Sequence, residues 1–188
     1  KIIDRALSNN LDFDNIRRNS NLGYIVKNSD FLTILYKKLK SRKNVSILNN
    51  SKINNLYSRN NRAVTEIDNA LILSNLNIAA DGKKSFVREI LKTTSFKKNY
   101  KRKALVINLN HSLPHNSTAY EFFYNNGPLA ILPMQKINNN FTSSIVWTNK
   151  SDYLESLLEL ENNELKKILS YETQNVVGDV KKIISKQI

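Results

Sequence analysis

The segment Ala79-Ala80-Asp81-Gly82-Lys83-Lys84-Ser85-Phe86-Val87-Arg88 decides the fold prediction for this chain. It follows an apolar run, 76–80, that predicts a strand, and it opens an apolar pattern, 86–91, that predicts a helix. A strand, a tight turn and a helix in that order are typical of α/β proteins that hold a phosphate at a helix N-terminus. Gly82 allows the tight turn, and Arg88 offers a forked donor to an anion. The Asp-Gly pair alone is more often an ordinary connection, so the whole segment carries the prediction.

The region before this segment predicts a helix followed by short strands. Residues 1–20 are polar and irregular, and Leu22 to Val26 predicts a short strand. Apolar residues from Phe31 to Leu39 recur at helical spacing, with Ser29 or Asp30 as the predicted cap. Strand-like runs then follow at 45–48, 52–57, 63–67 and 70–73, with hairpin turns at Asn60-Asn61 and Asp68-Asn69 because Asn and Asp tolerate positive φ.

The region after the segment predicts an antiparallel sheet followed by two helices. Strand-like runs occur at 104–109, 118–124, 129–133 and 141–148, separated by turn-rich segments. Helical patterns follow at 153–160 and 164–171, and Ser151 or Asp152 is the predicted cap of the first.

Composition excludes several kinds of site. The 188 residues contain no cysteine, which excludes disulfides, thiolate chemistry and cysteine metal sites. The only histidines, His111 and His115, are too few for a three-histidine zinc site, and Pro114 between them argues against a helix. Each is predicted to be a hydrogen-bonded loop residue, and no metal site is predicted. No apolar run approaches the ~18 residues that a membrane span needs.

The formal net charge of +13 leaves several partners open. Nucleic acid, an anionic membrane, an anionic ligand and the lysine and asparagine bias of an AT-rich genome all fit this charge. Basic clusters lie at 37–43 and 97–103, and a solvated face is the simpler explanation of each. No helix-turn-helix, zinc-finger or RNP pattern occurs, so no specific nucleic-acid binding is predicted.

Four segments together resemble one enzyme family. The segment 79–88 resembles the Ala-Asp-Gly-x-x-Ser-x-Val-Arg motif of flavin-dependent aromatic hydroxylases of the p-hydroxybenzoate hydroxylase type. The ubiquinone-biosynthesis branch of that family, the 2-octaprenyl-6-methoxyphenol hydroxylase-like enzymes, is matched by Leu22–Asn28, by Ala119–Phe123 with Gly127–Met134, and by Ser144–Thr148. The segments keep the family's order and about its spacing, and Pro114-His115 matches a frequent pair. The resemblance covers roughly residues 20–170.

The resemblance implies an α+β fold, in which an antiparallel or mixed substrate-domain sheet is interleaved with a partial FAD-binding domain. Residues 1–25 would begin the substrate domain, and 26–92 would be the partial FAD-binding domain, with its helix, β-meander and Asp-Gly motif. Residues 93–175 would supply the substrate-domain sheet and helices, and 176–188 would begin the return to the FAD domain.

Two family motifs are missing from this sequence. The chain has four glycines and no Gly-x-Gly-x-x-Gly turn, which binds the ADP part of FAD. It also lacks the family's Gly-Asp/Asn-Ala-Ala-His segment. We therefore expect a central piece of a longer enzyme with an incomplete FAD site, inactive by itself.

The resemblance implies cofactor contacts for Asp81, Gly82, Ser85 and Arg88. Asp81 would accept a hydrogen bond from an FAD ribose hydroxyl, and Gly82 would lie near the pyrophosphate. Arg88 could equally be a structural pin to a carboxylate. Because the cofactor carries the chemistry, with NAD(P)H and dioxygen as co-substrates, no catalytic dyad is expected and none is evident.

The substrate pocket is expected under the sheet. Strand alternation puts Leu129, Ile131, Pro133 and Gln135 on one face. The resemblance implies that Tyr124, Pro133 and Gln135 lie close to the substrate, and these five residues are the predicted substrate contacts. Ordinary core packing is the alternative for each of them. The face is largely apolar, which suits a prenylated phenol better than a carboxylate.

These observations predict a piece of an FAD-dependent monooxygenase that hydroxylates a prenylated phenol in ubiquinone biosynthesis. The parent enzyme would lie in the cytoplasm, peripheral to the inner membrane of an AT-rich bacterium, or at a mitochondrial inner membrane. Its predicted partners are an anionic membrane surface and a ubiquinone-biosynthesis assembly. Exposed apolar surface also predicts self-association. Two alternatives remain: a non-catalytic basic module that binds lipid or RNA, and a flavin hydroxylase with another aromatic or isoprenoid substrate.

Overall fold

The chain divides into two units, which the computed structural model describes over residues 1–4, 10–14 and 21–188. The sheet unit contains Lys1–Phe31 and Asn99–Ile188, and the hairpin unit contains Leu32–Lys98. In chain order the elements are β1 (Ile2–Asp4), β2 (Asn10–Leu11), α1 (Asn28–Lys40), β3 (Ile53–Arg59), β4 (Arg62–Ile67), β5 (Ala70–Ser74), α2 (Phe86–Ile90), β6 (Arg102–His111), β7 (Tyr120–Phe123), β8 (Leu129–Ile137), β9 (Asn140–Lys150), α3 (Ser151–Glu159), α4 (Asn162–Glu172) and β10 (Val180–Gln187).

The sheet unit is built on one seven-stranded mixed sheet with the strand order β10-β6-β9-β8-β7-β1-β2. β6, β9 and β8 form its antiparallel centre, where Ile145 of β9 pairs with Ile107 of β6 on one side and with Ile131 of β8 on the other. The parallel pair β1–β7 makes the sheet mixed. The α+β class with a mixed sheet is thereby confirmed.

The core of the sheet unit lies between one face of this sheet and the helices α3 and α4. Alternate residues of the strands point to this face, and leucines at helical spacing cover them. The buried members are Leu105, Ile107, Leu109, Phe122, Leu129, Ile131, Ile145, Trp147, Leu154, Leu157, Leu165, Leu169, Val177 and Val180. Helices and sheet therefore depend on each other for burial, which is the main source of stability in such a layer.

The hairpin unit contains a three-stranded meander, β3-β4-β5. In the sequence, α1 precedes the meander and α2 follows it, and the part of α1 from Leu32 onward belongs to this unit. Its turns use Asn60 and Asn61 at φ 49° and 57°, and Asp68 at φ 51°. Both predicted hairpin turns are confirmed, because these residue types adopt positive φ at low cost. The helix α1 contains no buried residue.

Some predicted elements differ in the structure. The apolar runs 22–26, 45–48 and 76–80 form no strands, because no neighbouring strand within the described residues supplies their backbone with ladder partners. The strands β1, β2 and β10 are not predicted by the sequence patterns. Part of the region expected to be irregular, 5–9 and 15–20, lies outside the described residues.

The two predicted helix caps are also wrong. The helix α1 begins at Asn28, so Ser29 lies inside it. The helix α3 begins at Ser151, which is therefore its first helical residue and not its cap. The cap of α3 is Lys150, whose side chain makes no capping hydrogen bond.

Within the described residues, no helix combines the length and apolar character needed to cross a bilayer.

Candidate functional site

Two cavities contain the residues that the sequence singled out. The Asp-Gly cavity, of about 500 Å³, lies in the hairpin unit, and all four predicted cofactor residues, Asp81, Gly82, Ser85 and Arg88, line it. The Pro-His cavity, of about 1250 Å³, lies in the sheet unit and is lined by segments around Tyr24, His115 and Met134. Each cavity is formed by residues of a single unit.

The Asp-Gly cavity is organised by the start of α2. Ser85 is the N-cap residue of this helix, and its Oγ accepts a hydrogen bond from the Arg88 backbone N–H at 3.1 Å. Asp81 Oδ2 accepts a hydrogen bond from the Val87 backbone N–H at 3.1 Å. Ser85 and Val87 are buried, which fixes the turn against the unit.

Asp81 supplies the negative charge at this turn. A hydrogen bond from Ser85 lowers the pKa of the Asp81 carboxyl, and the Val87 backbone N–H lowers it further. The carboxylate thus occupies N–H donors that were predicted to hold a phosphate. A hydroxyl donor, such as that of a ribose, suits an acceptor of this kind better than a second anion does.

Gly82 and Arg88 shape the turn. Gly82 has φ 79°, and a Cβ built there would meet no atom within 4 Å, so backbone conformation rather than space favours glycine. Arg88 Nη1 donates a hydrogen bond to the Lys83 carbonyl oxygen at 3.2 Å. Arg88 therefore stabilises the turn by binding a backbone carbonyl oxygen. The sequence analysis instead expects a phosphate or a carboxylate as the partner of Arg88.

Removing the cap should loosen α2 locally. We expect Ser85→Ala to lower the stability of the α2 start by about 1 kcal/mol, because the Arg88 N–H loses its acceptor. Amide hydrogen exchange of residues 86–90 measures this. The control is Ser58→Ala, at an exposed serine of β3, which should leave the exchange unchanged.

The Asp81 carboxylate adds a pH dependence to the same measurement. Because its folded-state pKa lies below the ordinary value of 3.8, its stabilisation is present above that value and is lost as pH falls through the lowered pKa. Equal α2 protection in Ser85→Ala and wild type, or protection that rises on acidification, would contradict this account.

The Pro-His cavity brings together segments that are distant in sequence. Its walls come from residues 21–25, 114–119 and 133–136, with Phe141 and residues 12–14. Two of the four family-like segments, Leu22–Asn28 and Gly127–Met134, contribute directly to it. The predicted Pro114-His115 pair lies at the same wall.

His115 holds this wall together. One ring nitrogen, Nε2, lies 3.0 Å from the Met134 carbonyl oxygen, and the other, Nδ1, accepts a hydrogen bond from the Ser117 backbone N–H at 3.1 Å. This pattern requires a neutral ring with its proton on Nε2. The loop after β6 is thereby attached to β8, as expected for a hydrogen-bonded loop histidine.

His111 supports the cavity from inside the sheet. It is only 3% exposed and ends β6, so its predicted loop position is wrong while its hydrogen-bonded state is confirmed. Its ring nitrogens lie 2.8 Å from the Leu113 carbonyl oxygen and 2.9 Å from Ser143 Oγ, and its ring stacks on Phe141. Burial lowers the pKa of His111, which favours the neutral ring.

The five predicted substrate residues fall into three environments. Leu129 and Ile131 have no exposed surface and lie in the core beneath α3 and α4, so the alternative of core packing describes them. The hydroxyl of Tyr124 donates a hydrogen bond to the Glu172 carbonyl oxygen and so serves packing as well. Pro133 and Gln135 line the Pro-His cavity.

The half-buried positions of β8 lie on the other face of the sheet. This face carries Ala130, Leu132 and Met134, with Ser144 and Thr142 opposite on β9. Of the four β8 residues that alternation places on the predicted ligand face, Leu129 and Ile131 are covered by the helices, whereas Pro133 and Gln135 line the cavity. Sequence reasoning missed Tyr24, Met134 and Phe141 as cavity residues, although the first two lie in segments already singled out by their resemblance.

Comparison with known proteins gives a consistent picture. No family model matches the chain. The ubiquinone hydroxylase UbiM of Neisseria meningitidis is 28% identical over 165 residues, which are 87% of this chain and 35% of that protein. The mitochondrial ubiquinone biosynthesis monooxygenase COQ6 of Drosophila melanogaster is 31% identical over 152 residues, 77% of this chain and 31% of that protein. The chain thus spans about a third of the length of these relatives.

A solved structure supports the fold. The flavin-dependent halogenase CmlS superposes with a TM-score of 0.64 at 13% sequence identity, over 86% of this chain and 31% of that one. At this identity the similarity concerns the fold alone, and it confirms the fold predicted from the sequence segments.

Proposed function

We propose that this chain forms the central part of an FAD-dependent monooxygenase that hydroxylates a prenylated phenol in ubiquinone biosynthesis. Its similarity to ubiquinone hydroxylases and to ubiquinone biosynthesis monooxygenases supports the proposal. The observation that carries this proposal is the Pro-His cavity, where two family-like segments and the Pro114-His115 pair meet. The function then follows from a site and not from the fold alone.

The Asp-Gly cavity fits one part of the cofactor. The Asp81 carboxylate would accept a hydrogen bond from a ribose hydroxyl of FAD, and the backbone at Gly82 is open to close approach. Ser85 and Arg88 would hold this turn in place. Bound FAD, reduced by NAD(P)H, would supply the activation of dioxygen.

The Pro-His cavity fits the substrate. About half of its lining residues are apolar, such as Pro133, Met134 and Phe141, and the others are polar or charged. The apolar part of the lining would hold a ring with an isoprenoid tail, and the polar part would fix the ring orientation. His115 would act by positioning, because both of its ring nitrogens are engaged by the cavity wall.

A chimeric enzyme tests the proposal. In it, this chain replaces the aligned segment of the Neisseria relative, and the gene is expressed in a bacterium that lacks the corresponding ring hydroxylase. We expect ubiquinone, measured by chromatography, to be restored. Asp81→Ala in the chimera should lower its flavin content, whereas Lys84→Ala, next to the turn but outside the cavity lining, should not.

Two outcomes separate the alternatives. A folded, flavin-loaded chimera that makes no ubiquinone but hydroxylates another aromatic compound would replace the substrate assignment. Equal flavin content in the Asp81→Ala and Lys84→Ala chimeras would remove Asp81 from the cofactor site. The isolated chain should be colourless after added FAD is removed, because the Gly-x-Gly-x-x-Gly motif that binds the ADP part is absent from it.

A further inference from the structure

One lysine of the Pro-His cavity has a defined position. Lys136 lies near the end of β8, and its Nζ lies 4.6 Å from the centroid of the Phe141 ring. Both side chains line the cavity. A cation over an aromatic face is attracted by the ring quadrupole, so Phe141 restrains an otherwise flexible ammonium group at the cavity wall.

The other charged groups of the cavity are already engaged. Lys1 Nζ forms an ion pair with Asp12 at 3.1 Å, Asp14 has an interaction partner, and His115 is neutral in its hydrogen-bond arrangement. In the part of the chain that the structure describes, no carboxylate forms an ion pair with Lys136. Among the described residues, the contact that restrains the Lys136 ammonium group is the ring of Phe141.

We propose that Lys136 binds the anionic oxygen of an aromatic ligand, so that the Pro-His cavity selects acidic phenols and holds them as phenolates. This inference rests on the proposed function and names its specificity-determining residue. A nearby cation favours the charged form of an acid. Lys136 is exposed in the free chain, and a bound aromatic ring would shield its ammonium group from water and so strengthen the attraction. The ligand ring would pack against Met134, two residues before Lys136 along β8, while its oxygen meets the ammonium group.

The lining favours a phenolate over a carboxylate. A carboxylate is best recognised by two parallel hydrogen bonds from an arginine, and no arginine lines this cavity within the described residues. Lysine acts as a point charge, which suits a single oxygen. The acidic Asp12 and Asp14 also disfavour a ligand that carries more than one negative charge.

The purified chain and 4-nitrophenol test this inference, because nitrophenol absorbs differently as phenol and as phenolate. We expect the bound form to be the phenolate, with an apparent pKa below that of free nitrophenol. Lys136→Met should weaken binding by about ten- to a hundredfold, and Lys136→Arg should retain most of it. The matched control is Lys167→Met, which removes the same charge from an exposed position on α4.

A second ligand separates charge from shape. Binding of 4-nitroanisole, which cannot ionise, should be insensitive to Lys136→Met. Unchanged nitrophenol binding in Lys136→Met, or an equal loss in Lys167→Met, would overturn the inference. Nitrophenolate binding is measured without flavin and without turnover. If the chimera is inactive but phenolate binding is intact, the proposed function is rejected and this inference is not. An active chimera without Lys136-dependent phenolate binding rejects this inference alone.

Discussion

Leu129→Ala is expected to lower the free energy of unfolding of the sheet unit by roughly 2–5 kcal/mol. Leu129 has no exposed surface and pairs across the sheet with Phe122 and Trp147 in the core beneath α3 and α4. The truncation removes buried methyl groups and leaves a cavity that the two neighbouring strands cannot close. Urea unfolding followed by fluorescence measures the change, because Trp147 is the only tryptophan and reports on this unit.

The same substitution three residues along β8 provides the control. Leu132 lies on the opposite, half-buried face, where it pairs with Ser144, so Leu132→Ala should cost only about 1 kcal/mol. Equal losses for the two variants would show that the helices do not cover the Leu129 face. A small loss for Leu129→Ala together with a changed ligand affinity would restore its predicted role in substrate binding.

This pair of leucines also shows what the sequence could and could not predict. The alternation of β8 follows from the geometry of any strand, so the division of its residues between two faces was predictable. Both faces are apolar, with Leu129 and Ile131 on one and Leu132 and Met134 on the other. The choice between them depends on which face receives the leucines of α3 and α4, and no local pattern encodes that packing.

The Asp-Gly turn was predictable for a different reason. Its geometry is local: Asp81, Ser85 and Val87 lie within seven residues and their hydrogen bonds close over one turn. Side-chain capping of this kind depends on residue type and spacing, which the sequence displays directly. The strand expected before it at 76–80 was wrong because strands need partners, and ladder pairing is a property of the fold.

The Pro-His cavity could be predicted only in part from the sequence. The segments 22–28 and 127–134 were singled out by resemblance before their proximity was known. Residues of distant segments meet in a cavity only through the sheet order β9-β8-β7, which local periodicity does not determine. Lys136 and Phe141 carried no sequence signal as a pair, since they lie on opposite sides of the β8–β9 turn.

A large local conflict in the sheet unit should arise at Gly127, where we expect Gly127→Ala to cost roughly 2–4 kcal/mol. Gly127 has φ 123°, a conformation that a side chain strongly disfavours. A Cβ there would lie 2.4 Å from the Thr148 carbonyl oxygen and 3.0 Å from Arg102 Nη1. The arginine could move, but Thr148 belongs to β9, and its backbone N–H donates to the Pro128 carbonyl oxygen at 2.9 Å.

The carbonyl of Thr148 can therefore retreat only by disturbing the central β8–β9 pairing, which makes relief of the clash expensive. Gly23→Ala is the matched control, since its added Cβ would meet no atom within 4 Å and its φ lies outside the left-handed range. Its effect should stay within about 0.5 kcal/mol. Urea unfolding followed by Trp147 fluorescence compares both variants with the wild type. If Gly127→Ala unfolded at the wild-type midpoint, the close packing of this turn on β9 would be refuted, and with it the reason for a glycine in the Gly127–Met134 segment.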